Sequence, residues 1–128
     1  MRVEKIKNVD ALPTAIEREI RQRKKEEFYD SFLHENDLYL VASLGQKNTS
    51  GYEVSIGNII AVDLEEWEVM MQQIEPEKEQ VLAQVITTPL IILKIAIISE
   101  DKKAPKKIIF KNKKGEVIKG IKVKNKSS

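Results

Sequence analysis

The sequence has 128 residues, of which 41% are hydrophobic and 33% are charged. This apolar content suits one modest core, so we expect a single domain over residues 1–128. The absence of cysteine excludes disulfides, thiolate metal sites and cysteine nucleophiles.

A net charge of +2 conceals an uneven distribution, because residues 102–128 hold 11 lysines and one acidic residue. We expect these lysines to keep a terminal hairpin soluble by charging its edge. An anion-binding or nucleic-acid-binding module that uses this lysine-rich region is an alternative. The segment has no arginine, the side chain most used to read base edges, so nucleic acid is not the expected partner.

The N-terminal segment, residues 1–37, is predicted to be an extended arm followed by an amphipathic helix. Proline is well tolerated in the first helical turn, so the helix is expected to begin at Pro13. Four apolar residues spaced at multiples of four indicate its buried face: Ile16, Ile20, Phe28 and Phe32.

Residues 38–98 are predicted to be a core β motif, because the hydrophobic period changes from four to two. Residues 38–43 suit a strand covered on both faces, and residues 52–56 a second strand that forms a hairpin with it. A bulge at Gly57 and Asn58 would let that second strand continue. Trp67 begins a strand with one wet face.

Residues 81–86 and 90–98 are the most β-branched part of the chain and are predicted to be the central strands. Their polar residues make a membrane span unfavourable. Residues 99–124 should form a C-terminal hairpin that turns at Gly115, and residues 125–128 should fray. The expected fold is α+β or mainly β, with one N-terminal amphipathic helix packed on an antiparallel sheet or small β-sandwich.

Nothing in the sequence indicates a catalytic centre. The one histidine, His34, lies where the predicted helix ends and suits a helix-capping role. No phosphate loop, dinucleotide-binding glycine pattern or nucleophile elbow is present. We therefore expect a non-enzymatic domain with no metal and no cofactor.

One polar loop stands out as a candidate contact site. Two glycines bracket small and polar residues that can turn sharply while presenting amides and hydroxyls to an extended peptide. Turn chemistry alone also explains this composition. The candidate partner-binding residues are Gly45, Gln46, Lys47, Asn48, Thr49, Ser50, Gly51 and Tyr52.

This loop resembles the C-terminal domain of the protease complex subunit PrcB family, in which a Gly-x-Lys-Pro-Thr-Gly-Gly-Tyr stretch precedes a strand. Asn48 replaces the proline of that pattern, and Ser50 replaces the first of its paired glycines. A second similar element is Thr87-Thr88-Pro89 before an apolar strand. The resemblance spans about residues 38–98.

The resemblance implies a non-catalytic accessory role outside the cytoplasm, with a protein or peptide partner such as a protease. No signal peptide is expected in this chain, because its first residues contain no apolar stretch. The oligomeric state is not indicated.

A rival resemblance is to chagasin-like cysteine protease inhibitors. Thr49-Ser50-Gly51-Tyr52 is similar to their Asn-Pro-Thr-Thr-Gly-Tyr loop. Those inhibitors also use an Arg-Pro-Trp loop, which this sequence lacks, and its one tryptophan, Trp67, is predicted to lie within a strand.

Overall fold

The computed structural model describes residues 2–77, 82–97 and 103–126. Within these ranges the chain forms a short 3-10 helix at Val9–Ala11, one α-helix and nine strands. The α-helix is α1 (Thr14–Arg23), and the strands are β1 (Arg2–Lys5), β2 (Glu27–His34), β3 (Asp37–Leu44), β4 (Glu53–Ala61), β5 (Glu66–Ile74), β6 (Leu90–Ala96), β7 (Lys107–Lys111), β8 (Val117–Lys122) and β9 (Lys124–Asn125).

The strands form two sheets, ordered β1-β6-β3-β2-β9 and β4-β5-β7-β8. Both sheets are mixed, because β9 runs parallel to β2 and β7 runs parallel to β5. The prediction of a mainly β fold is confirmed, with one short helix. Of the two sheet arrangements expected, a single antiparallel sheet is wrong, because there are two sheets and each contains a parallel pair. None of the described helices has the length and apolar character needed to cross a bilayer.

The larger hydrophobic cluster contains buried residues of both sheets, such as Leu40 of β3 and Phe110 of β7. Tyr39 and Val41, which alternate with the β3 residues of that cluster, belong to a second cluster. Successive side chains of a strand point to opposite faces, so β3 is buried on both sides. The prediction for residues 38–43 is confirmed in this respect.

The second cluster also contains Ile16 and Ile20 of α1, whose side chains are fully buried with Phe28 and Phe32. Burying one such aliphatic side chain contributes roughly 1.5–3 kcal/mol. The five-stranded sheet thus has a second apolar cluster on the face that the four-stranded sheet does not cover.

The helix ends at Arg23, so the prediction that it continues through Phe28 and Phe32 is wrong. Both phenylalanines lie on β2, which pairs with β3 along its whole length through a tight turn in which Glu35 has φ 56°. His34 consequently lies at the end of a strand rather than capping a helix.

Two further predictions are corrected. Strands β3 and β4 do not form a hairpin, because β3 pairs with β2 and β6 while β4 pairs with β5 in the other sheet. Residues 82–86 form no strand. The break in the β4–β5 register between Ile56 and Ile59 confirms the bulge.

At the C-terminus, β7 and β8 form the predicted hairpin, in which Gly115 has φ 85°. The prediction that residues 125–128 fray is wrong for Asn125 and Lys126. Asn125 pairs with Leu33 of β2, and the Lys126 amide donates to the Leu33 carbonyl at 2.8 Å. Val81 and Ile98, predicted to bound the central strands, lie outside the described residues, as do residues 99–102 of the predicted hairpin region and 127–128 of the predicted tail.

Candidate functional site

The 45–52 loop is the crossover between the two sheets. It leaves β3 at Leu44 in the five-stranded sheet and enters β4 at Glu53 in the four-stranded sheet. A connection that changes sheets must turn at the rim of both layers, and this one is bounded by Gly45 and Gly51, both at positive φ. The loop therefore sits where its conformation is set by neighbours on either side.

Gly45 brings the start of the loop against the turn that joins α1 to β2. Its φ is 80°, and a Cβ at this position would lie 2.9 Å from the backbone nitrogen of Glu27. The Gln46 amide donates to the Lys25 carbonyl at 3.0 Å. Any side chain at position 45 would separate these two backbones, so glycine is a requirement of packing here.

On its other side the loop is held by residues 82–89, which we call the bracing segment. Lys47 and Thr87 exchange both backbone hydrogen bonds at 2.8 Å. The Ser50 amide donates to the Ala83 carbonyl, and the Ala83 amide donates to Ser50 Oγ, both at 3.2 Å. The Thr87 hydroxyl donates to the Thr49 carbonyl at 3.1 Å.

Gly51 allows the end of the loop to approach the bracing segment closely. A Cβ here would lie 2.8 Å from Cβ of Pro76 and 3.2 Å from Cδ2 of Leu82, and φ is 96°. Tyr52 then packs against the main core cluster, and the Lys47 ammonium lies 4.9 Å from the centre of its ring. Lys47 and Tyr52 thus form a cation–π contact within the loop.

These contacts correct one feature of the sequence prediction. The loop was expected to offer its backbone amides to a partner, yet the amides of Gln46, Lys47 and Ser50 donate within the protein. The side chains of Gln46 and Asn48 remain exposed, as do those of Val85 and Ile86 in the bracing segment, at 49% and 69% exposure. We call these four residues the loop surface.

Val85 and Ile86, the apolar half of the loop surface, were not identified as exposed by the sequence analysis. Residues 82–86 are β-branched enough to suggest a buried strand, whereas Val85 and Ile86 are exposed. Lys47 lies opposite Thr87 in an isolated antiparallel bridge, so Asn48 and Ile86 each adjoin a residue of the bridge in the sequence. The signal available was the Thr87-Thr88-Pro89 element, whose first threonine carries the bridge.

A separate open cleft of about 480 Å³ is lined by Glu27, Tyr29, Met71 and the β7–β8 turn, and no residue of the 45–52 loop lines it. Burial, followed by the charge and hydrogen bond of Glu27, raises the pKa of Tyr29 to about 12. The phenol therefore stays protonated at neutral pH and donates to Glu27 Oε2 at 3.1 Å. Across the described ranges no group of three His, Asp or Glu side chains is placed to hold a metal ion.

Several lysines of the C-terminal region pair with the acidic residues of the protein itself. Lys124 donates to the buried Asp30 at 2.9 Å, which is also bound by Arg23 at 2.8 Å. The hydrogen bond to Asp30 is the main reason that the pKa of Lys124 is raised. Lys126 reaches Glu19 at 2.7 Å. These lysines hold β9 against β2 and α1.

Residues 38–96 are similar to a known protein family. This segment, which runs from β3 through the loop and β4–β5 to the end of β6, matches the family model described as PrcB C-terminal. No curated protein and no solved structure matches the chain. The match includes the whole 45–52 loop and the whole bracing segment.

Proposed function

We propose, because residues 38–96 match the family model described as PrcB C-terminal, that this chain is a non-catalytic, protein-binding component of a protease complex that contacts its partner through the loop surface. One observation carries the proposal. Backbone hydrogen bonds fix the loop on both sides, while Gln46 and Asn48 of the loop and Val85 and Ile86 of the bracing segment bonded to it stay exposed.

The rigidity of the loop favours binding, because a surface that is already ordered loses little conformational entropy when a partner arrives. Three segments converge on the loop, namely the α1–β2 turn, Pro76 and the bracing segment. Gly45 and Gly51, the two glycines of the family pattern that this chain keeps, serve this convergence. They keep the loop surface in one shape rather than contacting a partner themselves.

The chemistry of the loop surface suits a protein partner. Val85 and Ile86 offer exposed apolar area, and the exposed amide side chains of Gln46 and Asn48 offer hydrogen-bond donors and acceptors. Protein interfaces commonly combine an apolar centre with a polar rim. Lys47 is not included in the loop surface, because its ammonium lies over the ring of Tyr52.

The test is affinity capture of the tagged chain from cells that produce it, with proteolytic activity in the eluate as the readout. Ile86→Asp places a charge at the centre of the loop surface and, from an exposed position, leaves the fold intact. We expect recovered activity to fall by about tenfold or more, the effect of losing one central interface residue. Val117→Asp makes the same change at 62% exposure on β8 and should leave recovery unchanged.

If Ile86→Asp and the unmodified chain recover equal proteolytic activity, the loop surface is not the contact with the partner. The inhibitor alternative is separated by titrating the purified chain against a papain-like protease, where the accessory role predicts full residual activity. The anion-binding alternative predicts capture of nucleic acid that falls steeply with added salt.

A further inference from the structure

The free edge of β4 differs from the other sheet edges. Each sheet has two outer strands, β1 and β9 in one and β4 and β8 in the other. An outer strand presents unpaired backbone groups that can accept another strand, and proteins commonly block such edges with lysine, proline or shortness. Three of the four edges in the described chain are blocked in these ways.

The blocked edges are short or basic. Strand β1 has four residues, of which Arg2 and Lys5 are basic, and β9 has two residues including Lys124. Strand β8 carries Lys119 and Lys122. In contrast, β4 has nine residues, Glu-Val-Ser-Ile-Gly-Asn-Ile-Ile-Ala, with no lysine, arginine or proline.

Among the described residues β4 pairs only with β5, so its other side is unpaired. Its inward residues Val54, Ile56 and Ile59 pack against the main core cluster. This packing holds the strand in place, and no described strand pairs with its outer side. The bulge between Ile56 and Ile59 bends the edge, which suits a short added strand on either side of it better than one long flat strand.

Charge near this edge indicates what kind of strand would be added. Residues 53–77 contain seven acidic residues and no lysine or arginine. Glu65 and Glu68 are paired with Lys106 and Lys111. The exposed acids nearest the edge are Glu53 and Glu75 at one end and Asp63 at the other.

A second copy of the chain is a poor match for this distribution. Antiparallel pairing of β4 with itself would bring Asp63 of one copy towards Glu53 and Glu75 of the other, and like charges between strands are unfavourable. A segment with basic residues at its ends would meet acids at both ends of β4.

We propose that β4 is a docking edge for an extended segment of another protein, with an uncharged β-forming centre flanked by lysine or arginine. Main-chain hydrogen bonds along β4 supply the register, as in other strand-addition complexes. The acidic residues at both ends of β4 favour a basic segment and make its binding weaken as salt is added. This edge is a different surface from the loop surface, although β4 begins directly after Tyr52.

The probe is a synthetic nine-residue peptide, Lys-Lys-Val-Thr-Val-Thr-Val-Lys-Lys, and its acidic counterpart has Glu in place of each Lys. We expect the basic peptide to slow amide hydrogen exchange in residues 53–61 and not in residues 117–122. Its dissociation constant should rise by about tenfold between low salt and 0.5 M salt. The acidic peptide and a basic peptide with proline at its centre should not bind.

Ile60→Lys and Val117→Lys are the matched variants, since both residues are exposed, at 47% and 62%, on outer strands. Ile60→Lys should weaken binding of the basic peptide by about tenfold through added repulsion, and Val117→Lys by less than about twofold. Asn48→Arg, on the loop surface, should leave peptide binding unchanged. The proposals for the loop surface and for the β4 edge are therefore tested independently.

Three results would overturn the proposal. The first is unchanged exchange in residues 53–61 with the basic peptide, and the second is equal binding of the basic and acidic peptides. The third is a concentration-dependent dimer, seen by sedimentation without peptide, that Ile60→Lys abolishes. That last result would assign the edge to a second copy of the chain.

Discussion

Lys47 and Thr87 donate their backbone amides to each other's carbonyls at 2.8 Å, although 40 residues separate them in the chain. This pair joins the crossover loop to the segment that precedes β6. The loop surface depends on the pair, since it joins the segment that carries Asn48 to the segment that carries Ile86. A contact surface of this kind is made by tertiary structure, and neither of its two segments forms it alone.

The first prediction concerns Gly51. Gly51→Ala should lower the free energy of unfolding by about 2 kcal/mol or more, because the new Cβ adds an overlap with Pro76 to the strain of a positive φ. Gly115→Ala is the control, with a similar φ of 85° but no atom within 4 Å. It should cost only about 1 kcal/mol. Urea denaturation measures both, and equal losses would mean that the close approach to Pro76 does not matter.

The second prediction concerns Asp30, which is buried and accepts from both Arg23 and Lys124. Asp30→Asn should lower the free energy of unfolding by about 2–3 kcal/mol, because two cations lose their shared anion. The matched change Glu65→Gln removes an ion pair whose side chains are 69% and 78% exposed. It should cost less than about 0.5 kcal/mol. A loss for Asp30→Asn no larger than for Glu65→Gln would show that the network does not stabilise the fold.

A third prediction follows from the tyrosine in the cleft. Burial and Glu27 raise the pKa of Tyr29 to about 12. The phenolate therefore forms at a higher pH than in the unfolded chain, where the pKa of tyrosine is about 10. The protonated phenol of Tyr29 stabilises the folded chain fully below pH 10, and this stabilisation is lost as the pH rises through 12. Absorbance titration should show a phenolate step near pH 12 that Tyr29→Phe removes. Persistence of that step in the variant would assign it to another tyrosine.

The fourth prediction concerns acid. Burial alone would raise the pKa of Glu19, but hydrogen bonds from Lys126 and Arg23 outweigh it and the pKa is lowered. The unfolded chain therefore takes up this proton at a higher pH than the folded chain, so the stabilisation is present above the ordinary glutamate range and lost below it. Chemical denaturation between pH 6 and pH 3 should show a smaller decline for Glu19→Gln than for the unmodified chain. Parallel declines would contradict the assignment.

The helix boundary was mispredicted for a physical reason. Ile16, Ile20, Phe28 and Phe32 are spaced by multiples of four, which keeps residues close on a helix and also on the same face of a strand. The turn that would have revealed β2 is Glu35-Asn36, and it lacks the glycine that normally marks a two-residue hairpin. Burial on both faces then hid the period of two.

Local chemistry was more reliable than pairing. The glycine positions of the loop, the Gly57-Asn58 bulge and the Gly115 turn were all predictable, because each depends on backbone conformation near one residue. The passage of the chain from one sheet to the other between β3 and β4 could not be predicted, since a loop of this length can close a hairpin or cross between layers. The exposure of Val85 and Ile86 depends on which strands pair elsewhere, and composition does not determine that.

The central claim is that the loop surface contacts the partner, and site-specific photo-crosslinking tests it most directly. A photoreactive amino acid at Asn48 is compared with one at Val117, both exposed in the folded chain. A covalent adduct is expected between position 48 and a protein of the protease complex, with none from position 117. An adduct from position 117 alone, or none from position 48 while the complex is intact, would contradict it.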